Sequence, residues 1–241
     1  MKGLLLFAFT LICIHLPHPT WAQSEGDDAY DPFADYSEFD EASEEEADIN
    51  FFRNGRFFTL GFAGGMRGYT SSLGNLYENS PTYGIYLSYF FDLRLAIQFG
   101  FLTGDSPFKL NVNDPAKNLE GNVSLTMLNA DLKYYFNTQN VTRGLADLNP
   151  YLLGGFSQIY RTLTLADNPG FGRDATIGVD LGAGLEIPMW RRKAYFGIQG
   201  TYRYFNFKDE NTFLLGKDGV PTTAKPQGDS FDVLAILGLN F

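Results

Sequence analysis

From Ala175 to Ile187 every second residue is apolar: Ala175, Ile177, Val179, Leu181, Ala183, Leu185 and Ile187 alternate with Thr176, Gly178, Asp180, Gly182, Gly184 and Glu186. A period of two puts the first set on one face of an extended strand and the second set on the other. Seven unbroken apolar positions exceed the usual strand length of a soluble sandwich. The opposite face holds charge and glycine rather than a second core. In a membrane, a strand of this kind is stable where its apolar face meets lipid and its backbone is fully paired, which a closed barrel provides.

The pattern recurs. Phe58, Leu60, Phe62 and Met66 oppose Thr59, Gly61, Ala63, Gly65 and Arg67; Tyr83, Ile85, Leu87, Tyr89 and Phe91 oppose Gly84, Tyr86 and Ser88. Leu95, Ile97, Phe99 and Phe101 oppose Ala96, Gln98 and Gly100, and a fourth strand sets Thr126, Leu128, Ala130, Leu132, Tyr134 and Phe136 against Met127, Asn129, Asp131, Lys133 and Tyr135. The seventh places Phe196, Ile198, Tyr202 and Tyr204 opposite Gln199, Thr201 and Arg203. At the C-terminal end Phe231, Val233, Ala235, Leu237, Leu239 and Phe241 share one parity, opposite Asp232, Leu234, Ile236, Gly238 and Asn240. A fifth strand, from Pro150 to about Leu163, has ambiguous parity because Leu152, Phe156 and Tyr160 compete with Leu153 and Ile159. The expected fold is all-β: a closed antiparallel transmembrane β-barrel of about eight strands with up-and-down topology over residues 55–241. The two longest connections leave room for one more hairpin, making ten.

Polar, Gly- and Pro-containing stretches at Thr70–Pro81, 104–122 and 207–229 read as long loops, and Asp92 and Pro188–Lys193 as tight turns. Long and short connections alternate, except at 137–149, as expected of extended outside loops and short periplasmic turns. Aromatic residues gather near the strand ends, with Tyr89, Phe91, Tyr134, Phe136, Trp190, Tyr195 and Phe241 at one rim and Tyr69, Tyr83, Phe101, Tyr204 and Phe231 at the other. Two such girdles are expected at the headgroup levels.

Residues 1–22 read as a secretory signal peptide, with Lys2 at its start, an apolar run from Leu4 to Leu16, and Thr20-Trp21-Ala22 as the cleavage site. Ile12 before Cys13 is too bulky for a lipid-attachment box. Cleavage after Ala22 removes the chain's one cysteine and both histidines, His15 and His18. The mature chain then lacks the residues of a Ser-His-Asp triad, a Cys nucleophile or a typical zinc site. No cofactor or metal is expected and no enzymatic activity. Asp180 and Glu186, six residues apart on one face, are a spacing too common in barrel interiors to argue for hydrolysis.

The net charge of -10 is unevenly spread. Twelve of the 28 acidic residues lie between Glu25 and Asp48 with no Lys or Arg among them, whereas residues 53–241 carry 17 basic and 16 acidic groups. Nothing here makes a basic patch for nucleic acid. Residues 23–54 read as an acidic, largely disordered periplasmic tail. Within it Tyr30, Phe33, Tyr36 and Phe39 recur every three residues and, at helical spacing, form a sticky stripe framed by acid. That pattern suits either a solvated spacer or a docking motif for a basic periplasmic protein.

Charged residues that alternate with leucines must face the lumen. The expected inward polar set is Arg67, Gln98, Asn129, Asp131, Lys133, Asp180, Glu186, Gln199, Arg203 and Asp232, in which acids and bases nearly balance. Eight strands enclose a lumen just wide enough for side chains, so this set is expected to form a plug. A gated pore or a ligand pocket is the other reading.

With Phe241 last, alternate apolar residues before it and about eight ten-residue strands, residues 55–241 resemble the small outer-membrane barrel family typified by the transmembrane domain of outer membrane protein A. The resemblance implies a bacterial outer-membrane location. It also implies contact with outer-membrane lipid and lipopolysaccharide, and an assembly signal at Gly238 and Phe241 read by the barrel insertion machinery. It does not imply a cell-wall anchor, because the extra segment is an acidic N-terminal tail rather than a C-terminal peptidoglycan-binding domain. The functional expectation is a structural or adhesive barrel. The alternative is a narrow pore or transporter for a small amphipathic or apolar solute.

Overall fold

The computed structural model describes residues 57–92, 94–110, 118–136, 148–165, 173–190, 193–216 and 220–241. The signal segment and the acidic tail, with Tyr30, Phe33, Tyr36 and Phe39, lie outside the described residues. Eight strands follow in chain order: β1 (Phe58–Tyr69), β2 (Ser80–Phe90), β3 (Leu95–Leu110), β4 (Leu119–Tyr135), β5 (Asn149–Leu165), β6 (Arg173–Met189), β7 (Ala194–Phe205) and β8 (Ser230–Asn240). A six-residue helix, α1 (Ser71–Leu76), follows β1. Each strand pairs antiparallel with its chain neighbour, and β1 pairs with β8 from Thr59↔Asn240 to Tyr69↔Ser230, so the barrel closes at eight strands.

The outward face explains why the sheet closes in lipid. Phe62, Met66, Ile85, Leu87, Phe99, Leu132, Leu152, Ile177, Leu181, Ile198, Val233 and Leu237 are exposed around the whole wall. An open edge in hydrocarbon would leave unpaired N–H and C=O groups at a cost of several kcal/mol each, so closure and an apolar exterior go together.

Two stretches expected as loops are ordered elements. Within 70–81, α1 forms because Leu73 and Leu76 are buried in an apolar cluster that includes Tyr77, Phe108 and Leu110. Within 104–122, β3 runs on to Leu110 and pairs with β4 as far as Leu119. The alternation never stops there but inverts. Up to Phe101 the apolar residues face outward, whereas beyond it Phe108 and Leu110 are buried and Asp105, Pro107 and Lys109 are exposed. On β4 the same inversion separates Leu128, exposed, from Val123 and Leu125, buried. The physical reason is the end of the membrane: above it water replaces lipid outside, and the apolar face turns inward as in a soluble sheet. Pro107 suggests a loop because it has no N–H, yet its carbonyl accepts a hydrogen bond from Glu78 N–H at 3.0 Å.

Burial settles β5, which keeps one parity from end to end. Leu152, Phe156 and Tyr160 are exposed, while Tyr151, Leu153, Ser157, Ile159 and Arg161 are buried. Two members of the expected girdles are also corrected. Tyr69 and Tyr195 have inward parity and are buried, Tyr69 hydrogen-bonding Ser106 Oγ at 2.7 Å. The other named girdle residues with described side chains stand on the outward face.

Glycines opposite inward tyrosines make the wall fit. Tyr86 faces Gly100, Tyr151 faces Gly184 and Tyr195 faces Gly238 as direct cross-strand partners. A Cβ on these glycines would fall 2.5, 2.4 and 2.0 Å from a ring atom of its tyrosine. Each ring lies across the bare backbone opposite, the arrangement in which an aromatic residue covers a glycine in a strand. Gly238→Ala is expected to destabilise the refolded barrel by about 1–3 kcal/mol, the usual cost of overpacking. Urea titration measures it, and Tyr195→Ala in the same chain should remove most of the effect.

Candidate functional site

The ten polar residues read as inward are all buried, none more than 4% exposed. They do not form one network. The first group is a chain of alternating charge across β1, β8, β7 and β6. Arg67 grips Asp232 through Nε at 2.8 Å and Nη2 at 3.2 Å. Arg203 contacts the same carboxylate through Nη1 and reaches Asp180 Oδ2 through Nε at 3.3 Å. Ser157 Oγ donates to Asp180 Oδ1 at 2.7 Å. Register makes this possible, since Arg67 is the direct partner of Asp232 and Asp180 of Arg203.

The second group sits towards the end of the barrel where β8 ends and β6 turns into β7. Lys133 Nζ lies 3.2 Å from Glu186 Oε1 and 4.1 Å from the Tyr151 ring centroid, while Tyr135 O–H donates to Glu186 Oε1 at 2.8 Å. Gln199 accepts from Tyr151 O–H at 2.8 Å and donates to Thr201 Oγ1 at 3.1 Å. Asp180 and Glu186 therefore serve different cations. The third group, Gln98, Asn129 and Asp131, lies on adjoining strands and is joined by one hydrogen bond, Asn129 Nδ2 donating to Asp131 Oδ2 at 2.6 Å.

Above these groups the lumen is apolar. Leu102, Leu125, Met127 and Ile159 fill it from one side, and α1 with Phe205, Phe207 and Leu214 covers the outer mouth. Residues from three elements meet at Arg161 of β5. Its Nη2 lies 2.7 Å from Asp209 and 3.5 Å from Asp174, its Nη1 donates to Tyr77 O–H at 3.3 Å, and its guanidinium stacks 4.0 Å from the Phe207 ring. Burial pushes the Tyr77 hydroxyl above the usual phenol range, against the opposing pull of Arg161. The cap is also tied across the β1–β8 seam, where Thr70 N–H donates to Asp229 O and Leu73 N–H to Gln227 O.

Sequence reading missed Tyr86, Tyr135, Tyr151, Ser157 and Thr201 as members of the lumen networks, although their inward parity was the available signal. Arg161 was hidden by the ambiguous strand. Among the described residues, no group of three or more His, Cys, Asp and Glu could hold a metal ion.

A closed eight-stranded barrel with a lipid-facing wall and a lumen filled by paired charges and apolar side chains is a small transmembrane barrel. Residues 42–233 match the outer membrane protein β-barrel domain family, and the chain belongs to it. It is a protein of the bacterial outer membrane. Its fold is similar to that of Neisserial surface protein A, at 16% identity and a TM-score of 0.51 over 76% of this chain and 97% of that one. The N-terminal barrel of Pseudomonas aeruginosa OprF aligns at 18% identity and a TM-score of 0.45, over 77% and 98% of the two chains. Ail, the attachment invasion locus protein of Yersinia pestis, aligns at 14% and 0.43, over 76% and 96%. No curated protein sequence matches the chain.

Removing one partner of a buried ion pair costs more than the pair contributes, because the other charge is left unpaired. Arg203→Ala leaves Asp180 without its cation and Asp232 with only Arg67, and is expected to cost about 3–5 kcal/mol in urea unfolding of the refolded barrel. Arg161→Ala, which frees the more exposed carboxylate of Asp209, should cost less.

Proposed function

We propose that the protein is a non-enzymatic barrel with a structural and adhesive role, its outside segments meeting the environment and its acidic tail docking a basic periplasmic protein. The observation that carries this reading is that the lumen is filled at every level: Lys133 and Glu186 with tyrosines below, the Arg67–Asp232–Arg203–Asp180 chain in the middle, and the apolar cap pinned by Arg161 above. A pore needs a continuous aqueous path, and these contacts oppose one. The absence of His and Cys from residues 23–241 supports the non-enzymatic part of the reading. In planar bilayers the reconstituted barrel is expected to give no reproducible conductance step. Regular steps would favour a narrow pore or transporter instead.

The tail reading rests on Tyr30, Phe33, Tyr36 and Phe39 in an acidic frame. Affinity capture from cell envelopes should retain a basic periplasmic protein on the full chain and lose it when the four aromatics become Ser. An unchanged bound set would leave the tail a spacer.

Gly238 and Phe241 are proposed as the signal read by the insertion machinery. Phe241 supports this, because its backbone is paired with Phe57 and Phe58 while the residue is 68% exposed. Gly238 has a second role in seating Tyr195. Deleting Phe241 is expected to impair assembly in cells far more than refolding in detergent, and equal losses would remove the signal role.

A further inference from the structure

Charge does not balance in the waist of the barrel. Among the described residues facing it, Arg67, Lys133 and Arg203 stand against Asp131, Asp180, Glu186 and Asp232. Three of these acids each touch a cation: Asp232 two arginines, Asp180 Arg203, and Glu186 Lys133. Asp131 touches none. Its Oδ2 accepts from Asn129, and its Oδ1 has no partner.

The neighbours of Asp131 are also unsatisfied. Gln98 is its direct cross-strand partner on β3, is fully buried, and has neither amide atom hydrogen-bonded. Asn129 Oδ1 is likewise buried and unpaired. Gly155 of β5 faces Asp131 from the other side, and a Cβ there would fall 2.5 Å from Asp131 Oδ1. The Cβ position of Gly100, beneath the Tyr86 ring, lies 2.5 Å from Asn129 Oδ1. The missing side chains of these two glycines thus make the space these oxygens occupy. The charges bearing on Asp131 are Asp180 of β6, Arg203 of β7 and Lys133 of its own strand. Arg67 of β1 is spent on Asp232 of β8, which also takes Arg203.

An ionised carboxylate buried without a counter-charge is strongly unfavourable, and so are unpaired amides beside it. Water is a poor remedy, because each unpaired atom has less than 1 Å² accessible. We propose that the Asp131–Asn129–Gln98 cluster holds one proton, on Asp131 Oδ1. The proton supplies the positive charge that the waist lacks. It needs no added volume and turns Oδ1 from an acceptor without a donor into an O–H.

Asp131→Asn tests this, since it keeps the shape of a protonated Asp131 and removes the charge. On the full chain, refolded in detergent, infrared spectra at neutral pH should show a protonated-carboxyl carbonyl band in the wild type that is lost in D131N. A wild type with no such band, or a band that D131N keeps, overturns the proposal. D131N should still refold, as read by the mobility difference between heated and unheated samples on gels.

Discussion

Everything in this structure follows from the requirement that no backbone group be left unpaired in hydrocarbon. Lipid supplies no hydrogen bonds, so the last strand must return to the first. That closure brings Asp232 of β8 opposite Arg67 of β1, and so places a bidentate ion pair at the seam. Closure also fixes the radius. With eight strands the lumen admits side chains and little else, which is why inward tyrosines need glycines opposite them and why charges meet closely enough to pair.

The wall was legible from the sequence because lipid imposes a strict rule on one face. Apolar residues at alternate positions identified the membrane-spanning parts of the strands, their direction and their order. The lumen was legible by subtraction, as the charges that could not face lipid, and all ten named residues lie inside. Which of them touch was not legible. Arg203 bridges β6 and β8 because of the register of β7 with its two neighbours, which places partners 23 and 29 residues away beside it, and no local pattern encodes register. The inward parity of Tyr86 and Tyr135 was legible, but the partners of their hydroxyls depend on the same register, whereas Tyr69 and Tyr195, near strand ends, read as girdle residues despite their inward parity.

The outer parts of β3 and β4 were not legible for a different reason. The rule of an apolar outside ends where the solvent changes. Phe108, Val123 and Leu125 obey the opposite rule, since the sheet there has water outside and α1 with the β7–β8 segment inside. The mixed parity of β5 has another cause: Leu152, Phe156 and Tyr160 face lipid while Leu153 and Ile159, on the opposite face, fill the lumen.

That change of rule also marks where the membrane stops. Between Phe101 and Asp105 on β3, and between Leu128 and Ser124 on β4, the outward face goes from apolar to polar within two or three positions. Lifting the barrel would draw Phe101 and Leu128 into water, and lowering it would push Asp105, Lys109 and Glu120 into hydrocarbon. The chain therefore floats at one draught. Six further residues of β3 at about 3.3 Å each, tilted by about 40°, raise the β3–β4 hairpin roughly 15 Å above the lipid. It stands there as a braced mast, stiffened by its own apolar filling, and whatever it meets is met at a fixed height above the cell surface.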